Sequence, residues 1–559
     1  EIIDFITSEI QKVGIEGVNL KELKKINRAS RSQHYNLMQN NNAQASMIGT
    51  SYLARNDKDV LSHYIVDDVN ELNELIIDHV NNHLQADKVN TGYLLVSNEE
   101  QTREWNNAQR ESDKEDAQFL SDKYRTSELE QPLWASALEI SDSITINPVI
   151  PETYTLANGI EVLQYVNTTI PKITLKLQLK ASNMHDPLNK EGLCAMTNHC
   201  MFEGTKHHPG LSFVQACEDH AINILLNNQT ITVSCLKKDI QKGLTMLYEL
   251  LTECTFEEEA IEKIRDQLIC HYLQLWDDPH KIAEQLVDKH VFKNHPFERS
   301  AIGNPDSLST ITRNEIIDFY TKFITPDGAR LSIVGDIASE EIQQLLNDTL
   351  SSWTGSAVDD IEYPELDEVE PTIIFHPLDR DQTVLFYAGR SVNLFHENYY
   401  ALTIFDAILA KRLFQLREQY GIFYTMHGAS VCNESEEPGI CFVSTIVSND
   451  KVEEVKSIIE AALKMIPSSL TEDELKYAKS ALLETPSHLY KDNATTAGTF
   501  LFLHKHKFPF DYVTYLKSKI EAVTLNQIQQ AASSILDLNK MIVIQVGRGK
   551  PNNQEPHLN

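Results

Sequence analysis

The sequence predicts an α+β protein built from repeated modules of roughly 200 residues, each a mixed or antiparallel sheet covered by helices. Three observations lead there. The stretch beginning "DNATTAGTFLFLHKHK" near the end lies over "NNNAQASMIGTSYLAR" near the start, with Asn493-Ala494 on Asn42-Ala43, and upstream "TEDELKYAKSAL" lies over "NLKELKKINRAS". Two later stretches run through one order of strands, long helix, alternating strands and further helices. Strands and helices mix without strict βαβ alternation, which points away from a doubly wound parallel sheet.

Taken in order, "EIIDFITSEIQKV" is amphipathic, with no signal-like apolar segment, and it opens on Glu1. Residues 1–97 read as the back half of a module: helices, then the apolar run "GYLLV". Any address label is expected upstream, so the compartment is unread, with a lean toward a bacterial periplasm or an organelle. Residues 98–147 are dense in charge and poor in core residues before Leu133-Trp134, and read as a linker.

Residues 148–350 form the next module. Strands are expected in "ETYTLANGIEVLQYV", "KITLKLQLKAS", "TITVSCL" and "ARLSIVGDI", with helices in "GLCAMTNHCM" and "AIEKIRDQLICHYLQLW". A second linker spans 351–371. Residues 372–549 repeat the order, with strands in "TIIFHP", "QTVLFYAG", "IFYTMHGASVCN" and "GICFVSTIVS" and the long helix "YYALTIFDAILAKRLFQLREQ". Thr471 followed three residues later by Glu474 is a helix-entry pair. Residues 550–559 are a tail.

The 559 residues carry 49 Lys and Arg against 81 Asp and Glu, a formal charge of −32, which argues against nucleic acid or an anionic membrane as partner. No apolar run approaches the 18 or so residues needed to cross a bilayer. All eight cysteines follow residue 193 and none forms a C-x-x-C pair, so they read as buried thiols rather than a disulfide framework or zinc ribbon.

"GLCAMTNHCMFEGTKHHPG" raises the chemical question, because its histidines sit on a helix and its exit with no glutamate beside them. With "TFEEEAIEKIRDQLI", "WDDPHKIAEQLV", "HPFERSAIGNPDSLSTITRNEIIDFYTKFI" and "KRLFQLREQYGIFYTM", it resembles the pitrilysin or insulinase-type zinc metallopeptidases, the inverzincins, relatives of mitochondrial processing peptidase and the bc1 core proteins. The resemblance covers nearly the whole chain. It implies that 148–350 is a metal-type module, that 372–549 and the 1–97 segment are partner-type, and that the whole is half of a clamshell.

In that family, H-x-x-E-H places two histidines on one helix face to hold zinc, the glutamate activates the metal-bound water, and a later glutamate completes the site. Laid on this chain, the motif puts Ala195 at the first histidine, Asn198 at the glutamate and His199 at the second histidine. His271 falls at the last ligand and Ile264 at the acidic residue seven positions earlier. Two imidazoles and an amide cannot run the hydrolysis, so no catalytic residue and no bound metal is expected here. Recruitment of Cys194, Cys200 or His207 to an altered metal geometry is the alternative to a packed helix histidine.

The resemblance further implies that "INILLNNQTITVSC", residues 222–235, includes an edge strand that pairs with extended peptide, the other reading being a core-lining strand. It also implies that Arg417 and Tyr424 reach toward a substrate carbonyl; an ion-pair arginine and a core tyrosine are the plainer readings. The function expected is the non-catalytic C-terminal half of a zinc metalloendopeptidase that encloses and binds peptides. Zinc then belongs to the parent protein, and the working site to a missing N-terminal half or a sister subunit. The alternative is a wholly non-catalytic subunit of core-protein type.

Overall fold

The computed structural model describes residues 2–62, 65, 66, 68–84, 148–431, 437–484 and 486–548. The 98–147 linker, the run "GYLLV" and the 550–559 tail lie outside the described residues. Two compact units divide the chain: residues 1–24 with 66–145, and residues 25–65 with 146–559.

The chain opens with the helices α1 (Ile2–Glu16), α2 (Leu20–Met38), α3 (Asn41–Arg55) and α4 (Val69–His83). Within the first unit α1 packs on α4, where Asn81 donates its amide to the Gly14 carbonyl at 2.8 Å and Asn73 accepts the Val18 amide at 2.9 Å. In the second unit α3 begins with Asn40 accepting the Ala43 amide at 3.0 Å, a side-chain cap for an otherwise unpaired N–H. Its counterpart in the repeat, at Asp492, is capped one residue out of step with the overlay of Asn42 on Asn493.

The rest of the second unit holds two mixed sheets. The first comprises β1 (Glu152–Thr155), β2 (Glu161–Val166), β3 (Lys172–Gln178), β4 (Asn223–Asn227), β5 (Thr230–Leu236) and β6 (Arg330–Gly335), in the order β1-β2-β6-β3-β5-β4. The second comprises β7 (Ile373–Pro377), β8 (Gln382–Arg390), β9 (Thr425–Val431), β10 (Ile440–Ser448) and β11 (Met541–Gly547), in the order β7-β11-β8-β10-β9. From β2 and from β7 the two orders coincide. Each starts with a parallel pair, β2 with β6 and β7 with β11, and continues antiparallel. The α+β class and the repeated order read from the sequence are both present.

The helices used below are α5 (Leu193–Met201), α6 (Ser212–Asp219), α7 (Ile240–Thr252), α8 (Glu258–Leu275), α9 (Pro279–Val291), α10 (Tyr399–Tyr420), α11 (Glu472–Glu484) and α12 (Asn493–Lys505). On β3, Ile173, Leu175 and Leu177 alternate with polar residues and pack with β5, α5, α7 and α8 into the main core of the first sheet. The second sheet builds its own core with α10 through Leu402, Phe405 and Leu409. At α11 the Thr471 hydroxyl accepts the Glu474 amide at 3.3 Å, and Glu474 accepts the Thr471 amide at 3.0 Å, so the helix-entry pair forms as read.

The opposite faces of the two sheets are covered by exchange. Helix α9 follows the first sheet's helices in sequence, yet Ile282, Ala283, Val287 and Val291 pack against Val384, Phe386 and Ala388 of β8 and Ile542, Ile544 and Val546 of β11. Helix α12 follows the second sheet's strands, yet Ala497, Phe500 and Leu501 pack against Leu163 of β2 and Val334 of β6. Asn493 ties this end down, accepting from the Asn167 amide at 2.7 Å. Each sheet is finished by a helix from the other half of the unit.

The Asp288 side chain on α9 makes no hydrogen bond or ion pair among the described residues, and burial pushes its carboxyl up to about 7, with Glu284 adding to the effect. An unfolded aspartate titrates near 3.9, so folding takes up a proton between about pH 4 and 7, and this residue's contribution to stability falls as pH rises through that window. We predict that Asp288→Asn leaves thermal stability unchanged near pH 4 and raises it at pH 8 by up to about 4 kcal/mol. Unfolding monitored by circular dichroism at both pH values checks this.

Candidate functional site

Helix α5 carries the expected site. Its first residue follows Gly192, whose φ of 87° and whose backbone contact, 2.7 Å from an added Cβ to the Ile302 carbonyl, admit no side chain. The helix has no cap from its own N-cap residue. Asp186 supplies it instead, accepting the Gly192 amide at 2.9 Å and the Cys194 amide at 2.8 Å. Burial raises the Asp186 carboxyl to about 7 against the pull of those two amides and of Arg299.

The structure brings His199 of α5 and His271 of α8 to neighbouring positions, both exposed to solvent. Although His199 reaches solvent, partial withdrawal of its ring from water against α8 lowers its pKa, the neighbouring His271 lowers it further, and Glu203 pulls the other way. Ala195 contributes a methyl group. Ile264 is 4% exposed and belongs to the core, so the position seven residues before His271 is filled by packing.

Asn198 is buried, 7% exposed, and its amide donates to the Asn228 carbonyl at 2.9 Å and to the Cys194 sulfur at 3.6 Å. Asn228 forms the β4–β5 turn with φ 48° and exchanges hydrogen bonds with Asn183, donating at 3.1 Å to its side chain and accepting its backbone amide at 3.1 Å. Asn198 is therefore a strut between α5 and the β4–β5 turn. An ionised glutamate has no proton to give the Asn228 carbonyl.

The donor set does not fit zinc. Three protein ligands and an open position are needed, and among the described residues no three His, Cys, Asp or Glu side chains stand where they could share a metal. Glu203, the acid beside His199, is held by Lys263 at 2.8 Å. Burial pushes the Cys194 thiol up, and the Cys200 thiol to about 12, so neither is a thiolate at neutral pH. His207 pairs with Glu253 at 3.0 Å and His208 with Glu249 at 2.7 Å, which pins the exit of α5.

Arg417 lies in the last turn of α10, half-buried, and Tyr424 lies just before β9, 67% exposed. Gly421, at φ 64°, turns the chain between them. Neither side chain makes a hydrogen bond or ion pair among the described residues, and none joins them to His199 or His271. Among the described residues Arg417 forms no ion pair, and Tyr424 stands outside the core. Among the described residues β4 is the outermost strand of the first sheet, with Leu225 57% exposed, while β5 is interior.

Sequence reasoning missed Asp186 and Asn228. An aspartate several residues ahead of a helix carries no cap signature, and a turn asparagine is recognised as an anchor only once its partner is placed.

Residues 162–305 match the family model described as Insulinase (Peptidase family M16), and residues 310–482 match that of the Peptidase M16 inactive domain. An "Uncharacterized zinc protease" of Rickettsia bellii (strain RML369-C) is 22% identical over 335 residues, 58% of this chain and 81% of that protein. The "Non-peptidase homolog YmxG" of Helicobacter pylori (strain ATCC 700392 / 26695) is 20% identical over 398 residues, 68% of this chain and 90% of that protein. The crystal structure of a peptidase M16 inactive domain from Pseudomonas fluorescens superposes with a TM-score of 0.64 at 20% identity, covering 72% of this chain and 99% of that one.

The expectation of a C-terminal half is corrected in one respect. Both M16 domain types lie within this chain, one after the other, so it is not only a C-terminal half. With the two models spanning more than half of its residues and its sheets matching those of solved members, the chain belongs to the M16 family of insulinase and pitrilysin-type peptidases.

Proposed function

We propose that this M16 chain is non-catalytic and binds extended peptides, forming part of a chamber whose zinc site is supplied by the N-terminal half of the same protein or by a sister subunit. The observation that carries the reading is the combination of an open β4 edge with a neighbouring helix from which a ligand and the general base are gone, at Ala195 and Asn198. An unpaired strand edge offers alternating N–H and C=O groups to an extended peptide. Arg417 and Tyr424, whose side chains have no polar partner among the described residues, suit a carbonyl oxygen that gains charge during cleavage at the partner's metal.

The test has two arms. Purified chain is expected to bind an unstructured peptide by calorimetry, to lose that binding when alternate peptide amides are N-methylated, and to show no chelator-sensitive cleavage. Equal binding of the methylated peptide sinks strand addition, and chelator-sensitive turnover sinks the non-catalytic assignment. With a zinc-bearing partner present, Arg417→Ala or Tyr424→Phe is expected to lower cleavage by about tenfold or more.

Similarity to a protein named as a non-peptidase homolog favours a second reading, a wholly non-catalytic subunit of core-protein type. Addition of an H-x-x-E-H-bearing partner separates the two. The first reading requires cleavage to rise, and the second requires no change.

A further inference from the structure

A cleft of about 790 Å³ opens between the two halves of the second unit. Its floor is the second sheet, through Phe386 of β8 and Ile440 and Phe442 of β10, with the two phenyl rings stacked at 5.1 Å and 24° between planes. One wall is α9. Asn183, Met184 and the segment from Phe297 to Ala301 close the other side.

Helix α9 turns His280, Glu284 and Asp288 toward this space, each four residues from the last and so on one face. Glu284 is engaged by Lys281 at 2.8 Å and by His280 at 3.3 Å. The Asp288 carboxyl group has no hydrogen-bond or ion-pair partner among the described residues. Arg299 is the cation in the lining, but its guanidinium donates to the backbone carbonyls of Asp186 at 2.9 Å and Pro296 at 3.4 Å. The cleft thus holds an aromatic floor and a largely buried carboxylate that no cation among the described residues neutralises, an arrangement that costs stability until an opposite charge enters.

We propose that this cleft binds an alkylguanidinium or alkylammonium group, its cationic head on Asp288 and Glu284 and its methylenes along Phe386 and Phe442. A charge-assisted hydrogen bond to an unpaired carboxylate and a cation held over aromatic faces both favour this chemistry over a neutral polar group. The group could arrive as a free small cation or as the side chain of an arginine or lysine in a peptide, and both sources present the same head to α9.

Calorimetry at pH 8 tests it. n-Butylguanidinium is compared with n-butylurea, its neutral isostere, and a capped peptide with one arginine is compared with the same peptide carrying citrulline. A preference of at least tenfold for the charged member is expected, reduced to about unity by Asp288→Asn and weakened by Glu284→Gln. Affinity is also expected to fall several-fold at pH 6, where Asp288 takes up a proton with Glu284, His280 and Arg299 as the other charged or titratable groups facing the cleft. Preference in the free cation assigns the site to small cations, and preference only in the peptide assigns it to a side chain. Equal binding of charged and neutral members in both pairs overturns the proposal, as does a preference that survives in Asp288→Asn.

Discussion

Asn198→Glu, which restores the family's general base, is expected to destabilise the protein by about 3–5 kcal/mol and to yield no zinc-dependent turnover. The native amide donates to the Asn228 carbonyl from a position 7% exposed to solvent. A carboxylate there has no proton to donate, faces a carbonyl oxygen, and keeps none of the hydration that water would supply. Chemical denaturation measures the loss. A neutral or stabilising result would mean that the helix and the turn do not depend on this strut. Because Ala195 still lacks a ligand atom, the prediction for activity stands even if the variant folds, and chelator-sensitive turnover by Asn198→Glu would refute it.

Phe500→Ala is the second large effect. Phe500 is fully buried, though it lies on α12, after the second sheet's strands, and packs on Leu163 and Val334 of the first sheet. Losing a buried phenyl group costs about 3–5 kcal/mol. The more telling readout is the shape of the transition. Exchange of α9 and α12 couples the two sheets, so the variant is expected to lower one shared unfolding midpoint. Separate transitions, with only the one containing α12 shifted, would refute the coupling.

The strands were legible because a half-buried strand writes its face into alternate residues. In "KITLKLQLK" the alternation alone names Ile173, Leu175 and Leu177 as the core side. That Ala195, Asn198 and Ile264 bring neither imidazole nor carboxylate was legible for a simpler reason, since a residue type that lacks a ligand atom lacks it in any fold. The exchange was not legible. The spacing of Ile282, Val287 and Val291 records that α9 has an apolar face, and nothing in that spacing says which sheet receives it. The support around α5 stayed hidden for the same reason, because Asp186 and Asn228 act on residues that only folding brings near.

The exchanged helices also set a timetable for synthesis. The first sheet's last strand ends at Gly335, but the helix that covers its outer face begins at Asn493. Roughly 160 residues must leave the ribosome in between, which at about 5–20 residues per second is on the order of ten to thirty seconds. Throughout that interval Leu163 and Val334 lack the apolar cover that α12 gives them in the finished protein, an exposure that favours aggregation just when the first half has otherwise taken shape.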